Sequence, residues 1–127
     1  MKGIANLMKL GFISAFMFTA NDIDAQTTIT YTADGTFTVP AGVTTVKVEA
    51  WGGGGAGGGT SAGLGNSTGG GGGGGAFKLN NSLGVTAGSA ITVTVGDGGT
   101  GGSNVNGNNG GNSDFGGMVT ADGGKGG

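Results

Sequence analysis

The chain has 127 residues, 36 of them glycine, with one proline, no cysteine, no histidine and a formal charge of −2. That length holds at most one modest domain, and missing cysteine and histidine remove the thiol nucleophile, the imidazole base and the usual zinc or copper ligands. All five basic residues are lysines, scattered along the chain, so no basic patch exists for phosphates and neither nucleic acid nor an anionic membrane surface is an expected partner.

Residues 1–25 read as an address. Lys2 and Lys9 precede the uncharged stretch 10–20 (LGFISAFMFTA), the order of a signal peptide's basic and apolar regions. The stretch is much shorter than the roughly 20 residues of a spanning helix. Ile23-Asp24-Ala25 offers a small residue at the cut, which makes Gln26 the expected mature N-terminus. Export to the outside or the surface of a bacterial cell follows, with no span left after cleavage.

From Thr27 the side chains alternate, Thr28, Thr30 and Thr32 against Ile29 and Tyr31, as in a half-buried strand. Ala33-Asp34-Gly35 is the expected hairpin turn, and Thr36–Val39 the returning strand. Val39-Pro40-Ala41-Gly42 signals a second turn, with Pro40 at its first central position and Gly42 closing it. Residues 43–50 alternate again, Val46, Val48 and Ala50 facing one way. Trp51 ends this strand as the one large aromatic able to cover the end of a small core. A second copy of the unit follows at Val85-Thr86-Ala87-Gly88 and at Ile91, Val93 and Val95. The strand units therefore lie near 27–51 and 83–97. Residues 76–79 and 115–120 add Phe77, Leu79, Phe115, Met118 and Val119 as strand ends or covers. No helical period appears, so an all-β domain over 26–127 is expected.

The glycine tracts, 52–75 and 96–127, lack the every-third-position period and the prolines of collagen. Composition alone favours a disordered linker. The competing reading is a bundle of polyproline-II-like strands, whose backbones only glycine allows to approach and hydrogen-bond. Isolated apolar residues (Leu64, Val105, Phe115, Met118) and the patterned strands on either side support the bundle. Asn104, Asn106, Asn108, Asn109 and Asn112 suit the turns that such a bundle needs.

Residues 36–55 (TFTVPAGVTTVKVEAWGGGG), with 71–77 (GGGGGAF), 85–99 (VTAGSAITVTVGDGG) and 110–115 (GGNSDF), resemble a glycine-rich domain of secreted bacterial surface proteins and phage tail fibre or adhesin proteins. The resemblance implies a small antiparallel β-sandwich from which polyproline-II strands project for attachment or display, without catalysis. Such domains carry a closing strand after the last glycines, whereas residues 123–127 (GGKGG) end this chain. Truncation at the C-terminus is implied, with an edge left open to pairing or aggregation.

Hidden chemistry is weak. The G-x-G-x-x-G matches arise from composition, and Lys125 has no following Ser or Thr to make a phosphate loop. Asp97, Asn104, Asn106, Asn108 and Asp114 form an oxygen-rich stretch for weak calcium binding, but its spacing fits no known calcium loop and turn formation is the stronger reading. A carboxylate pair among Asp34, Glu49, Asp97, Asp114 and Asp122 would have to share one wall of a pocket, as a polysaccharide-active enzyme fragment requires. The leading expectation is a secreted or cell-surface structural or adhesive module without cofactors, whose partners are other surface proteins, glycans or itself. An ice-binding, small-ligand or carbohydrate-binding protein using the threonine rows (Thr28, Thr30 and Thr32; Thr92 and Thr94) or the asparagine-rich loops is the alternative. The candidate contact or structural residues are Trp51, Pro40, Gly42, Thr28, Thr30, Thr32 and Phe115.

Overall fold

The computed structural model describes residues 27–60 and 68–127. The expected signal peptide and Leu64 lie outside them. Residues 27–30 carry no regular structure, and the compact unit runs from Tyr31 to Gly127.

The unit is all-β, with six strands: β1 (Gly35–Thr38), β2 (Thr45–Trp51), β3 (Phe77–Gly84), β4 (Ala90–Thr94), β5 (Ser113–Phe115) and β6 (Val119–Ala121). One antiparallel sheet has the order β1-β4-β5-β6, and the second is the antiparallel pair β2-β3. Alternation gives each strand one apolar face. Val48 and Ala50 point inward from β2, and Ile91, Val93, Phe115, Val119 and Ala121 from the larger sheet. Val39, 1% exposed, closes the core where the chain leaves β1. Phe37 packs on Phe115 with ring centroids 5.7 Å apart. The sheets thus form a small β-sandwich, as the alternation predicts.

The strand expected at Thr28–Thr32 does not form. Thr28 and Thr30 are exposed and unstructured, and Thr32 sits in a bend. Alternation alone does not order a segment unless a neighbouring strand takes its hydrogen bonds. Asp34-Gly35 likewise makes no hairpin. The Asp34 carboxylate accepts from the Val95 amide at 2.8 Å, and Gly35 opens β1 where a Cβ would meet the Tyr31 ring at 2.9 Å. The Tyr31 hydroxyl in turn donates to the Thr36 carbonyl.

The repeat of turns is real, one residue later than expected. Val43 donates to the Pro40 carbonyl with Gly42 at φ +82°, and Ser89 donates to the Thr86 carbonyl with Gly88 at φ +79°. Both turns need glycine at the second central position. Pro40 therefore opens its turn as the first residue. The two turns interlock, since Val39 donates to Ser89 and Gly88 donates back to Val39. At the other end of the larger sheet, β5 and β6 join through a three-residue connection, Gly116–Met118, in which Gly116 and Gly117 have positive φ and the Met118 amide donates to the Phe115 carbonyl.

The glycine tracts form a bundle. Residues 52–60, 68–76, 95–103, 105–112 and 122–127 run side by side beyond the sandwich. Along 52–60 the amides of Gly52, Gly55 and Gly58 donate to Ala76, Gly73 and Gly70, while those of Gly53, Ala56 and Gly59 donate to Gly111, Asn108 and Val105. The recurrence at every third residue is the period of a polyproline-II helix. The same central segment accepts from Gly99 at Gly54 and from Gly124 and Gly127 at Gly53 and Ala56. It touches all four neighbours. No glycine of these five segments has positive φ, so glycine there serves approach and not turning. A Cβ on Gly53 would lie 2.0 Å from the Asp97 carbonyl, and one on Gly110 would lie 2.1 Å from that of Gly53.

Candidate functional site

Side chains leave the bundle surface almost bare, so the accessible features are backbone and a few residues at its base. Val48 and Ala50 take the inward positions of β2, which turns Trp51 outward. It is 61% exposed and does not cover the core. Cross-strand pairing sets it opposite Phe77, itself 52% exposed, with ring centroids 5.1 Å apart and the planes tilted by 41°. Leu79 follows on the same strand, also exposed.

Beyond the aromatic pair the three-residue period continues the face. Gly54 and Gly57 follow Trp51 at steps of three, and Gly74 and Gly71 precede Phe77 in the same way; all are exposed. A Cβ on Gly71 or Gly74 would meet nothing within 4 Å. The result is a flat strip of peptide backbone with two aromatic rings at its root. Trp51, Phe77 and Leu79 are exposed together on this face rather than singly.

The outer face of the larger sheet carries hydroxyls. Thr36 stands opposite Thr92, Thr94 opposite Asp114, and Asp114 opposite Thr120. The sequence pattern groups Thr92 and Thr94 with each other; the sheet adds Thr36 and Thr120 across strands, and Thr28, Thr30 and Thr32 lie outside it. Thr120 donates its hydroxyl to Asp114, and the same carboxylate accepts the Gly117 amide, so Asp114 fixes the hairpin turn.

Phe115, expected as a strand end or cover, ends β5 and is buried in the core. Ser113 is a joint that the sequence does not mark. Its hydroxyl donates to the Trp51 carbonyl at 2.6 Å and accepts the Gly96 amide at 2.9 Å, joining three chain segments where sandwich becomes bundle. A lone serine between Asn112 and Asp114 carries no signal for such a role.

The asparagines divide. Asn104, at φ +63°, makes the turn expected of it. Asn109 and Asn112 instead clasp the last segment, accepting the amides of Gly126 and Gly123, and Asn108 donates to Thr100. The carboxylates of Asp34, Asp114, Asp122 and Glu49 are similarly committed. Asp122 accepts from Asn112, and Glu49 pairs with Lys47. Among the described residues no group of three or more acidic side chains is placed to hold a metal ion, and no helix is long and apolar enough to cross a membrane.

An all-β sandwich whose glycine tracts are woven into a hydrogen-bonded bundle defines a glycine-rich β domain. The chain belongs to the glycine-rich domain family, whose model matches residues 28–127. No curated protein and no solved structure matches the chain.

Proposed function

We propose that the chain is a secreted or cell-surface structural and adhesive module that acts by attachment to surfaces or to itself, without catalysis. The observation that carries this reading is the ladder of residues 52–60, which bonds the bundle in several directions and makes it a stiff projection. Its exposed strip, Trp51 and Phe77 with the glycine rows beyond them, lets a partner reach peptide backbone with no side chains in the way. Contacts of that kind are individually weak and gain strength by repetition on a surface. Other surface proteins and cell-surface glycans are the partners whose chemistry suits it, since aromatic rings stack on apolar sugar faces and peptide groups bond hydroxyls.

Attachment is tested by incubating the labelled chain with bacterial cells and reading the bound fraction after washing. Binding that falls several-fold in Trp51→Ala and Phe77→Ala is expected; a chain that stays in the supernatant at every concentration ends the reading. Sequencing the N-terminus of exported protein checks the address, with Gln26 as the expected first residue.

A second reading, an ice-binding or small-ligand protein, is favoured by the registered hydroxyls of Thr36, Thr92, Thr94 and Thr120 on one sheet face. Thermal hysteresis that disappears in Thr92→Val would move the assignment there.

A further inference from the structure

The larger sheet ends in β1 and β6, of four and three residues, and both offer little edge for pairing. The smaller sheet has only β2 and β3, so each has a free edge. On β3 that edge is interrupted. Lys47 alone lies between the pairs Val46↔Leu83 and Val48↔Asn80, whereas Asn81 and Ser82 both lie between them on β3. This is a bulge, and the Asn80 side chain accepts the Ser82 amide within it. Bulges of this kind block strand addition. β2 runs seven residues without a break and is the long regular edge of the sandwich.

The direction of its backbone groups is fixed at both ends. The Gly52 amide donates to Ala76 on the β3 side, and the Thr44 carbonyl accepts from Val85 on the same side. Even-numbered residues of β2 therefore face β3. In an antiparallel ladder, odd-numbered residues turn their groups the other way, and the Trp51 carbonyl does so, reaching Ser113. The amides and carbonyls of Lys47 and Glu49 thus face the open edge. Their side chains lie together on the outer face as an ion pair, part-exposed at 46% and 38%.

We propose that a second copy of this chain occupies that edge, in a two-fold symmetric dimer with β2 antiparallel to β2 about Val48. This register sets Lys47 of each copy opposite Glu49 of the other. Both residues carry outward backbone groups, so the facing pairs are hydrogen-bonded ones, as an antiparallel ladder requires. The charges also match, because opposite charges directly across a strand pair stabilise it and like charges oppose it. Trp51 of each copy falls opposite Thr45 of the other on the outer face. Registers centred on Lys47 or Glu49 set a residue opposite its own charge, and registers shifted by one residue mismatch the outward backbone groups. Of the registers that match the outward backbone groups, the one centred on Val48 alone sets each charge opposite its counter-charge. An isologous contact of this kind closes at two copies. It is small, so a dissociation constant of about the high-micromolar range is expected.

This inference rests on the self-associating reading above and names its partner. The test reads mass in solution, so its failure leaves surface attachment standing, and failed attachment leaves the dimer standing. Sedimentation equilibrium on the full chain should show a monomer–dimer equilibrium. Lys47→Glu and Glu49→Lys should each weaken self-association about tenfold or more, since each turns both cross-strand pairs into like charges. An equimolar mixture of the two variants should dimerise again, because one copy then presents two carboxylates to two ammonium groups. Lys47→Pro removes an outward amide that β3 does not use and should abolish the dimer while the dispersed glycine amide spectrum stays native. A wild-type chain that remains monomeric to millimolar concentration overturns the proposal. So do single variants that dimerise like the wild type, or a mixture no heavier than its components.

Discussion

The sandwich and the glycine bundle are parts of one compact unit held by opposite means. In the sandwich, side chains are buried and the backbone follows: Val39, Val48, Ile91, Val93, Phe115 and Val119 supply the apolar area. In the bundle there is almost nothing to bury, and amide meets carbonyl across five segments. Ordering glycine costs more backbone entropy than ordering any other residue. Two features offset it. Every third amide of the central segment is matched to each of two neighbours, and each segment grows directly from or into a strand that the sandwich already holds. What the comparison teaches is that low side-chain content does not imply disorder when the ends of the segments are fixed and their backbones interlock.

The comparison breaks most sharply at a single core ring. Phe115→Ala should destabilise the protein by about 3–5 kcal/mol, the usual cost of emptying an aromatic site, read as the shift in a denaturant midpoint. If the bundle is held only through the sandwich, its glycine amides should lose protection at the same midpoint. Next comes Gly110→Ala, whose new methyl would meet the Gly53 carbonyl at 2.1 Å; overpacking against backbone should cost about 3 kcal/mol. A bundle that were merely a pair of linkers would tolerate it, so an unchanged melting temperature would sink the packed arrangement. Asn109→Ala removes one acceptor from the Gly126 amide and should cost about 1 kcal/mol, with faster exchange confined to the last segment. Smallest is Gly71→Ala, on the open face with negative φ and nothing within 4 Å of the new atom. It should be neutral or stabilise by about 0.4–1 kcal/mol through the unfolded chain. The contrast between positions 110 and 71, two glycines of one tract family, measures how much of the bundle is packing.

Much of the sandwich is legible in the residues themselves. Val46, Val48 and Ala50 alternate as an inward face must, and Gly42 and Gly88 mark turns that need positive φ. Phe77–Gly84 is harder, because FKLNNSLG exposes Phe77 and Leu79 and sets only Leu83 against the core, so the pattern that signals a strand is weak. Ser113–Phe115 and Val119–Ala121 are three-residue strands flanked by glycine, the first held by pairing with distant β4 and the second by pairing with the first. Thr28–Thr32 fails in the opposite sense: it has the pattern and no partner strand. The bundle's order is written in which amide meets which carbonyl, a relation between residues far apart in the chain that leaves no trace in side-chain periodicity. Trp51 and Phe77 were visible as the large apolar residues flanking the first tract, but their outward direction depends on which neighbours take the inner positions.

The ladder along residues 52–60 also bears on how the protein answers temperature. Unfolding apolar surface raises the heat capacity, while exposing peptide groups lowers it. A bundle stabilised by amide–carbonyl contacts therefore flattens the stability curve of the domain to which it is joined. Hydrophobic burial in the sandwich weakens on cooling, whereas the bundle's own amide–carbonyl contacts bury little apolar surface. On cooling, the glycine bundle should therefore lose less of its own contribution than the sandwich does.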